Sequence, residues 1–303
     1  MKLSVDIAGV LFKNPVTTAS GTFASGKEYA RFFDLSRLGA VTTKGVSSTP
    51  WPGNPTPRIA ETYGGTLNSV GLQNPGVEAF IKNDLPFLRS LDTAVIVNVC
   101  GHTVSEYCAV AERLEEAGGV DILELNISCP NVYEGGMAFA ADWKSTEKVV
   151  SEVRKVTKLP VSAKLTPNVS DICSIAKAAE GAGANVLSLI NTLIGMKIDI
   201  KTRKPVLGNK IGGLSGPGIK PVAVRCVYQV SQCVKIPIIG MSGITSGADA
   251  IEFILAGARA IAVGVANFNN PLATMDVLAG IEAYMTEHNV TDINSLVGAA
   301  YAE

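Results

Sequence analysis

Apolar residues are not spread evenly along this chain. They gather into short, β-branched runs at 16–20, 40–45, 94–99, 121–128, 160–166, 184–191, 236–240 and 260–264. Several runs are apolar at consecutive positions, as in parallel strands covered on both faces. Between them lie stretches whose apolar residues recur every three or four positions, the period of a helix with one buried stripe. Val104, Cys108, Ala111 and Leu114 mark a helix over 104–116, and Val149, Val153 and Val156 mark one over 145–156. Asn168 precedes a helix over 169–180 that Gly181 and Gly183 terminate. The same reasoning predicts helices over 248–255, 272–285 and 293–301. Eight such repeats predict an α/β protein, a (β/α)8 TIM barrel formed by one domain over 1–303. A doubly wound sheet is the competitor. However, glycine and polar residues follow nearly every strand instead of marking one crevice, and no GxGxxG follows the first strand.

Two stretches break the rhythm, 46–77, rich in Pro, Gly, Asn and Thr, and 192–215. Insertions of this length predict long active-site loops or lids. Residues 3–12, turning at Gly9, predict an N-terminal hairpin closing the barrel bottom. With 47% hydrophobic and 17% charged residues, the chain has ample material for a core. Its 26 basic and 27 acidic residues leave a net charge of -1, which argues against a polycation gripping nucleic acid. No apolar run approaches the roughly 20 residues of a membrane span. The first residues lack the basic and apolar segments of a signal peptide, so a cytoplasmic location is expected. Cysteines at 100, 108, 129, 173, 226 and 233 form no CxxC pair, and His102 and His288 cannot make a histidine zinc site. No metal is therefore expected in this chain.

In a barrel the chemistry sits at the C-terminal ends of the strands. In order, those ends read Ala19-Ser20-Gly21, Lys44-Gly45, Asn98 and Asn126-Ile127-Ser128-Cys129-Pro130-Asn131. Then come Lys164, Asn191-Thr192, Gly240-Met241-Ser242-Gly243 and Gly264-Val265. The inventory holds two lysines, four asparagines and one cysteine, without a carboxylate or a histidine. Paired-carboxylate hydrolysis and a Ser-His-Asp triad are thereby disfavoured. Asparagines offer a donor and an acceptor each, which suits a flat heterocycle with alternating C=O and N–H groups; the bland alternative is helix capping. Glycine turns after strands seven and eight are a phosphate-binding place in barrels. With a third turn at Ile211-Gly212-Gly213-Leu214-Ser215-Gly216 they favour a bound mononucleotide, flavin mononucleotide (FMN) foremost, over ligand-free tight turns. Cys129 is the candidate acid or base if its thiol is activated, and a small buried hydrophobe otherwise. Cys108, Cys173, Cys226 and Cys233 fall on helical stretches as packing residues.

On these residues the chain resembles the class 1 dihydroorotate dehydrogenases. The resemblance runs through Asn14-Pro15-Val16, Ala19-Ser20-Gly21, Lys44-Gly45, Asn54-Pro55-Thr56-Pro57-Arg58 and the segment from Leu67 to Gly76. Leu125-Asn126-Ile127-Ser128-Cys129-Pro130-Asn131 is its most specific part, and Lys164, Asn191-Thr192 and Gly212 to Gly216 complete it. Gly21-Thr22-Phe23 and the run from Gly53 to Arg58 resemble class 1B, the NAD-linked branch. The resemblance implies oxidation of dihydroorotate to orotate in pyrimidine biosynthesis. Cys129 would remove the C5 proton while the C6 hydride passes to FMN, with Lys44 at the reacting centre.

It further implies an orotate site of Lys44, Asn68, Ser69, Val70, Gly71, Leu72, Asn126, Asn131, Asn191 and Thr192. The flavin would meet Ala19, Ser20, Gly21, Lys44, Gly45, Asn98, Asn126, Lys164 and Ile190, with Gly216, Ser242, Gly243, Gly264 and Val265 at its ribityl and phosphate end. Ser242 and Val265 depart from the glycine and threonine expected there. The implied assembly is a homodimer flanked by two electron-transfer subunits that carry FAD and a [2Fe-2S] cluster and use NAD. The alternatives are a dihydropyrimidine dehydrogenase-like flavin barrel and, further off, a non-redox lyase or isomerase binding a phosphorylated substrate.

Overall fold

In the computed structural model, residues 1–127 and 142–301 are described. Eight parallel strands form the sheet at its centre. They are labelled β1 (Val16–Thr18), β2 (Ala40–Thr42), β3 (Ala94–Val99), β4 (Ile122–Leu125), β5 (Val161–Leu165), β6 (Val186–Leu189), β7 (Ile238–Met241) and β8 (Ala260–Val263). Each strand neighbours the next in the chain from β2 to β8, and β8 pairs back to β1. Apart from Ala94, every residue in these eight strands is buried. Helices outside and side chains inside cover both faces, which explains the continuous apolar runs.

Threonines close the seam between β1 and β2. The Thr42 amide donates to Thr18 Oγ1 at 3.0 Å, and the Thr18 hydroxyl donates to the Thr42 carbonyl at 3.2 Å. One side chain thus replaces a rung of the ladder. The Gly39 amide donates to the Val16 carbonyl at 3.0 Å, and a Cβ on Gly39 would lie 1.9 Å from the Asn14 carbonyl oxygen, so this approach requires glycine.

The predicted helices form, with informative differences. The helix Val104–Ala117 starts at Thr103, whose hydroxyl accepts the Glu106 amide, and stops where Gly118 and Gly119 take positive φ. Its buried stripe is Tyr107, Val110, Ala111 and Leu114, while Val104 and Cys108 are half-buried at the edge. The helix Ile172–Gly181 begins three residues later than predicted, because Asp171, not Asn168, accepts its first amides. Asn168 instead donates to the Thr192 carbonyl and accepts the Ile194 amide, so it ties down the loop after β6. The last predicted helix is two short 3-10 turns, Ile293–Leu296 and Ala299–Tyr301, separated at Gly298, whose φ is +75°. Cys233 lies just beyond the helix Lys220–Ser231 and not within a helix.

At the N-terminus, Val5–Ile7 and Val10–Phe12 form the expected hairpin around Ala8 and Gly9, both at positive φ. It buries Val5, Ile7 and Phe12 and leads into the N-terminal end of β1. Each fully buried side chain of this size contributes roughly 1.5–3 kcal/mol.

The two long insertions are loops that carry paired strands, and they are not independent. Ile59–Thr62 and Gly65–Asn68 form one antiparallel hairpin, and Leu193–Met196 pairs with Ile211–Ser215 in another. Ile211–Ser215 also pairs with Gly65–Asn68, joining both hairpins into one four-stranded sheet. Ala60, Leu67 and Leu207 form its small core, packed with Val206 and Leu214. Alternation with frequent glycine and threonine hid these strands from the sequence pattern. The predicted third glycine turn at 211–216 is therefore a strand followed by a bend at Gly216 (φ +117°).

Candidate active site

A cavity enclosing about 1170 Å³, in part continuous with solvent, opens between the C-terminal ends of the barrel strands and the four-stranded sheet. Its floor and walls collect residues far apart in the chain. Ala19, Ser20 and Gly21 follow β1, Lys44 follows β2, and Asn126 follows β4. Lys164 projects from β5, and Ile190, Asn191 and Thr192 follow β6. Asn68, Val70, Gly71 and Leu72 enter from the inserted hairpin, and Gly216, Ser242, Gly243, Gly264 and Val265 line the far end. Gly45, Ser69 and Asn98 do not line it. Asn98 and Ser69 are fully buried, and a Cβ on Gly45 would lie 3.0 Å from Asn98 Oδ1. Cys129 and Asn131 lie outside the described residues.

Sequence reasoning missed several wall residues. Thr66 and Ser215 face the cavity from the inserted sheet, and Ile59, Met241, Ile244 and Phe268 supply apolar surface. It also missed Glu124. The inventory of strand ends contained no carboxylate, yet this one sits within β4 at 2% exposure and accepts from Asn98 Nδ2 at 2.7 Å. The signal was available, since residues two apart on a strand share a face and Glu124 stands two before Asn126.

Lys164 reaches across the barrel. Its ammonium donates to Ser20 Oγ at 2.9 Å and lies 3.6 Å from Glu124 Oε1. Asn126 is held from behind by its backbone amide, which donates to the Val99 carbonyl at 2.8 Å, and by two further contacts. Its side-chain nitrogen donates to Asn98 Oδ1 at 3.3 Å, and its backbone carbonyl accepts the Tyr107 hydroxyl at 2.8 Å. Asn126 Oδ1 is buried and has no hydrogen-bond partner among the described residues. An orphaned buried acceptor costs about 1–3 kcal/mol, so this wall is built to receive an N–H from a ligand. The far end is open at the backbone. A Cβ at Gly21 would meet nothing within 4 Å, and one at Gly264 only Ala19 Cβ at 3.6 Å. These openings leave room for a ligand to approach the main chain.

The turn after β7 is fastened from outside. Ser242 takes a φ of +94°, a region that disfavours side chains, and its hydroxyl donates to the Ile190 carbonyl at 2.8 Å. A glycine there would meet the same backbone demand without the tether. Asp249 accepts the amides of Thr245 and Ser246 and the Thr245 hydroxyl, and pairs with Lys220 at 2.7 Å. Together with Ser246 it also forms the capping box of the helix Gly247–Leu255. Burial pushes the Asp249 carboxyl up. Lys220 and the Thr245 and Ser246 hydrogen bonds outweigh it, holding the carboxyl down from the ordinary 3.8 to about 2.

A depressed carboxylate stabilises the fold above its unfolded pKa and loses that contribution as pH falls through the folded value. The contribution of Asp249 is thus expected to disappear between about pH 4 and pH 2. Asp249→Asn is expected to cost about 1–2 kcal/mol at neutral pH, within the range for a lost cap. Its denaturant-derived stability should also fall less than that of the parent across the acid window. A variant as stable as the parent at neutral pH would contradict the tethering role.

Comparison with known proteins adds to this geometry. The dihydroorotate dehydrogenase family model matches residues 2–285. The Lachnoclostridium phytofermentans protein described as the catalytic subunit of dihydroorotate dehydrogenase B (NAD(+)) is 62% identical over 298 residues, covering 98% of this chain and 99% of that protein. Its counterpart from Alkaliphilus oremlandii is also 62% identical and covers 98% of both chains. Among solved structures, that of the Eimeria tenella DHODH in complex with ferulenol superposes with a TM-score of 0.84 over 100% of this chain and 89% of that one. At 20% identity it speaks for the shared fold alone. Matched from residue 2 to residue 285 and aligned almost end to end with its bacterial relatives, this chain belongs to the dihydroorotate dehydrogenase family.

Proposed function

We propose that this chain is the catalytic subunit of an NAD-linked dihydroorotate dehydrogenase. It oxidises dihydroorotate to orotate in the cavity over the barrel, with FMN as the resident cofactor. The observation that carries the reading is the composition of the wall. An acceptor at Asn126 with no partner among the described residues, the cation of Lys164 and unobstructed glycine backbone at Gly21 and Gly264 surround one space. These residues fit a flavin mononucleotide, which presents a ring N–H, a carbonyl edge that gains negative charge on reduction, and a phosphate. Ala19, Ser20, Gly21, Lys44, Gly45, Asn98, Asn126, Lys164 and Ile190 would hold or back its ring, and Gly216, Ser242, Gly243, Gly264 and Val265 its ribityl phosphate. Bound there, FMN supplies a two-electron acceptor for the C6 hydride of dihydroorotate.

The chain's own residues do the rest. Lys44 meets the substrate carboxylate, which a dihydropyrimidine without that group would lack. Asn68, Asn126, Asn131, Asn191 and Thr192 hold the ring amides, each able to donate and accept. Ser69, Val70, Gly71 and Leu72 shape the side contributed by the inserted hairpin, which excludes water above the barrel. Cys129 takes the C5 proton. Positioning and fixed charge, more than any single contact, lower the barrier.

Electrons leave to NAD through a second subunit carrying FAD and a [2Fe-2S] cluster, two of which flank a dimer of this chain. Ile194, Met196, Ile198 and Ile200, each about half or more exposed on the inserted strands and their extension, support the expectation of a covered surface in an assembled enzyme. Among the described residues, no helix is long and apolar enough to cross a membrane.

The test is anaerobic mixing of the FMN-loaded chain with dihydroorotate. Bleaching of the flavin's visible absorbance with formation of orotate is the expected result. Bound flavin that stays oxidised with dihydroorotate but bleaches with dihydrouracil would move the assignment to another pyrimidine.

A further inference from the structure

Among the described residues, Glu124 is the one buried charge near the cavity that the reaction scheme leaves without a task. It stands mid-strand in β4, while comparable buried positions in the barrel carry Thr17, Thr42 and Ser162. Isolating a carboxylate there costs several kcal/mol before any pairing, and a well-packed neutral pair is often as stable as a buried ion pair. Fold stability alone therefore does not account for it. Its contacts form a line across the barrel. Asn126 donates to Asn98, Asn98 donates to Glu124, Glu124 pairs with Lys164, and Lys164 donates to Ser20. Glu124 does not line the cavity, whereas Lys164 does. Any influence of the carboxylate on a ligand passes through that lysine or acts as a bare field from behind it.

We propose that Glu124 is a positioning residue whose carboxylate holds the Lys164 ammonium against Ser20 at the cavity wall, where the cation favours the reduced, more negative state of a bound flavin. This rests on the FMN reading given above. The two modes of action have opposite signs. By its own field, the carboxylate opposes negative charge on the ring. By holding the cation in place, it favours that charge. Removing it as Glu124→Gln therefore raises the flavin's midpoint potential if only the field matters, and lowers it if the lysine's placement matters.

Spectroelectrochemical titration of FMN bound to the holoprotein distinguishes them. The expected result for E124Q is about a tenfold loss in preference for reduced over oxidised flavin, a shift of about 30 mV to more negative potential for a two-electron couple. In a Lys164→Met background the same change is expected to give no negative shift, because its target is gone. A positive or absent shift in E124Q overturns the proposal, as does an equal negative shift in the K164M background. The neutral K164M/E124Q pair leaves no unpaired charge and should fold. If E124Q alone does not, Glu124→Asp withdraws the charge by one methylene and carries the same test. A smaller negative shift that K164M abolishes supports the coupling, and its absence refutes it. Failure of the parent chain to bind FMN would overturn the reading of the cavity instead, which is a separate outcome.

Discussion

Cys129→Ala is expected to slow reduction of bound FMN by dihydroorotate about 10²–10⁴-fold, the usual contribution of a positioned general base. Among the described residues lining the cavity, the titratable side chains are Lys44 and Lys164. An ammonium has protons to give and no lone pair to accept one. Glu124 is set back from the wall and committed to Asn98 and Lys164. The C5 proton must go elsewhere, and the segment Leu125 to Asn131 offers one thiol, three residues after Asn126, itself a wall residue. Anaerobic stopped-flow measurement of the flavin absorbance checks this. Flavin content and orotate binding should stay near those of the parent, because a thiol contributes little to either. An unchanged rate of reduction would remove Cys129 from the mechanism.

Gly213→Ala is expected to lower kcat/KM for dihydroorotate by about 10²-fold, the scale of a one-ångström misplacement in an active site. A Cβ at this position would lie 2.0 Å from Thr192 Oγ1 and 2.7 Å from Thr192 Cβ, so Thr192 must move. Gly213 also pairs with Asn68 in the inserted sheet, and its carbonyl accepts from Asn68 Nδ2 at 3.3 Å. One added methyl group therefore displaces two residues assigned to the substrate. At the flavin end only Gly216 follows this strand, three residues beyond the substitution, while Ser242, Gly243, Gly264 and Val265 come from other elements, so flavin binding should be largely retained. Steady-state kinetics alongside FMN titration separates the two. A parallel loss of flavin would show that the sheet supports the cofactor and not the substrate alone.

The barrel was legible because its strands are buried on both faces. Seven of the eight apolar runs contain a whole strand, the run at 94–99 coincides with Ala94–Val99, and the run at 236–240 overlaps Ile238–Met241. The polar strand ends were legible for a related reason. A lysine or asparagine closing an apolar run has few structural uses, and Lys44, Asn126, Lys164 and Asn191 all reach one cavity. What stayed hidden depends on contacts between distant segments. The inserted strands lack a hydrophobic rhythm because they bury a core of only Ala60, Leu67 and Leu207. The glycines of Ile211–Ser215 looked like a phosphate turn, but two of them make room for neighbouring strands and side chains. A Cβ on Gly212 would meet the Asn68 carbonyl oxygen at 2.5 Å. Glu124 escaped because attention to strand ends ignores the residue two positions earlier on the same face.

The pairing of Gly65–Asn68 with Ile211–Ser215 has a consequence for how this enzyme can be altered. The two insertions are separated by more than a hundred residues yet share one hydrogen-bonded ladder. Neither can be lengthened, shortened or exchanged alone without stranding backbone groups on the other. They are inherited, in effect, as a single cassette carried at two addresses. A chimera that takes 59–68 from one relative should also take 193–215 from it. Within such a family, length changes at the two places should arise together, and recombination between them should yield chains whose barrel is sound and whose roof does not close.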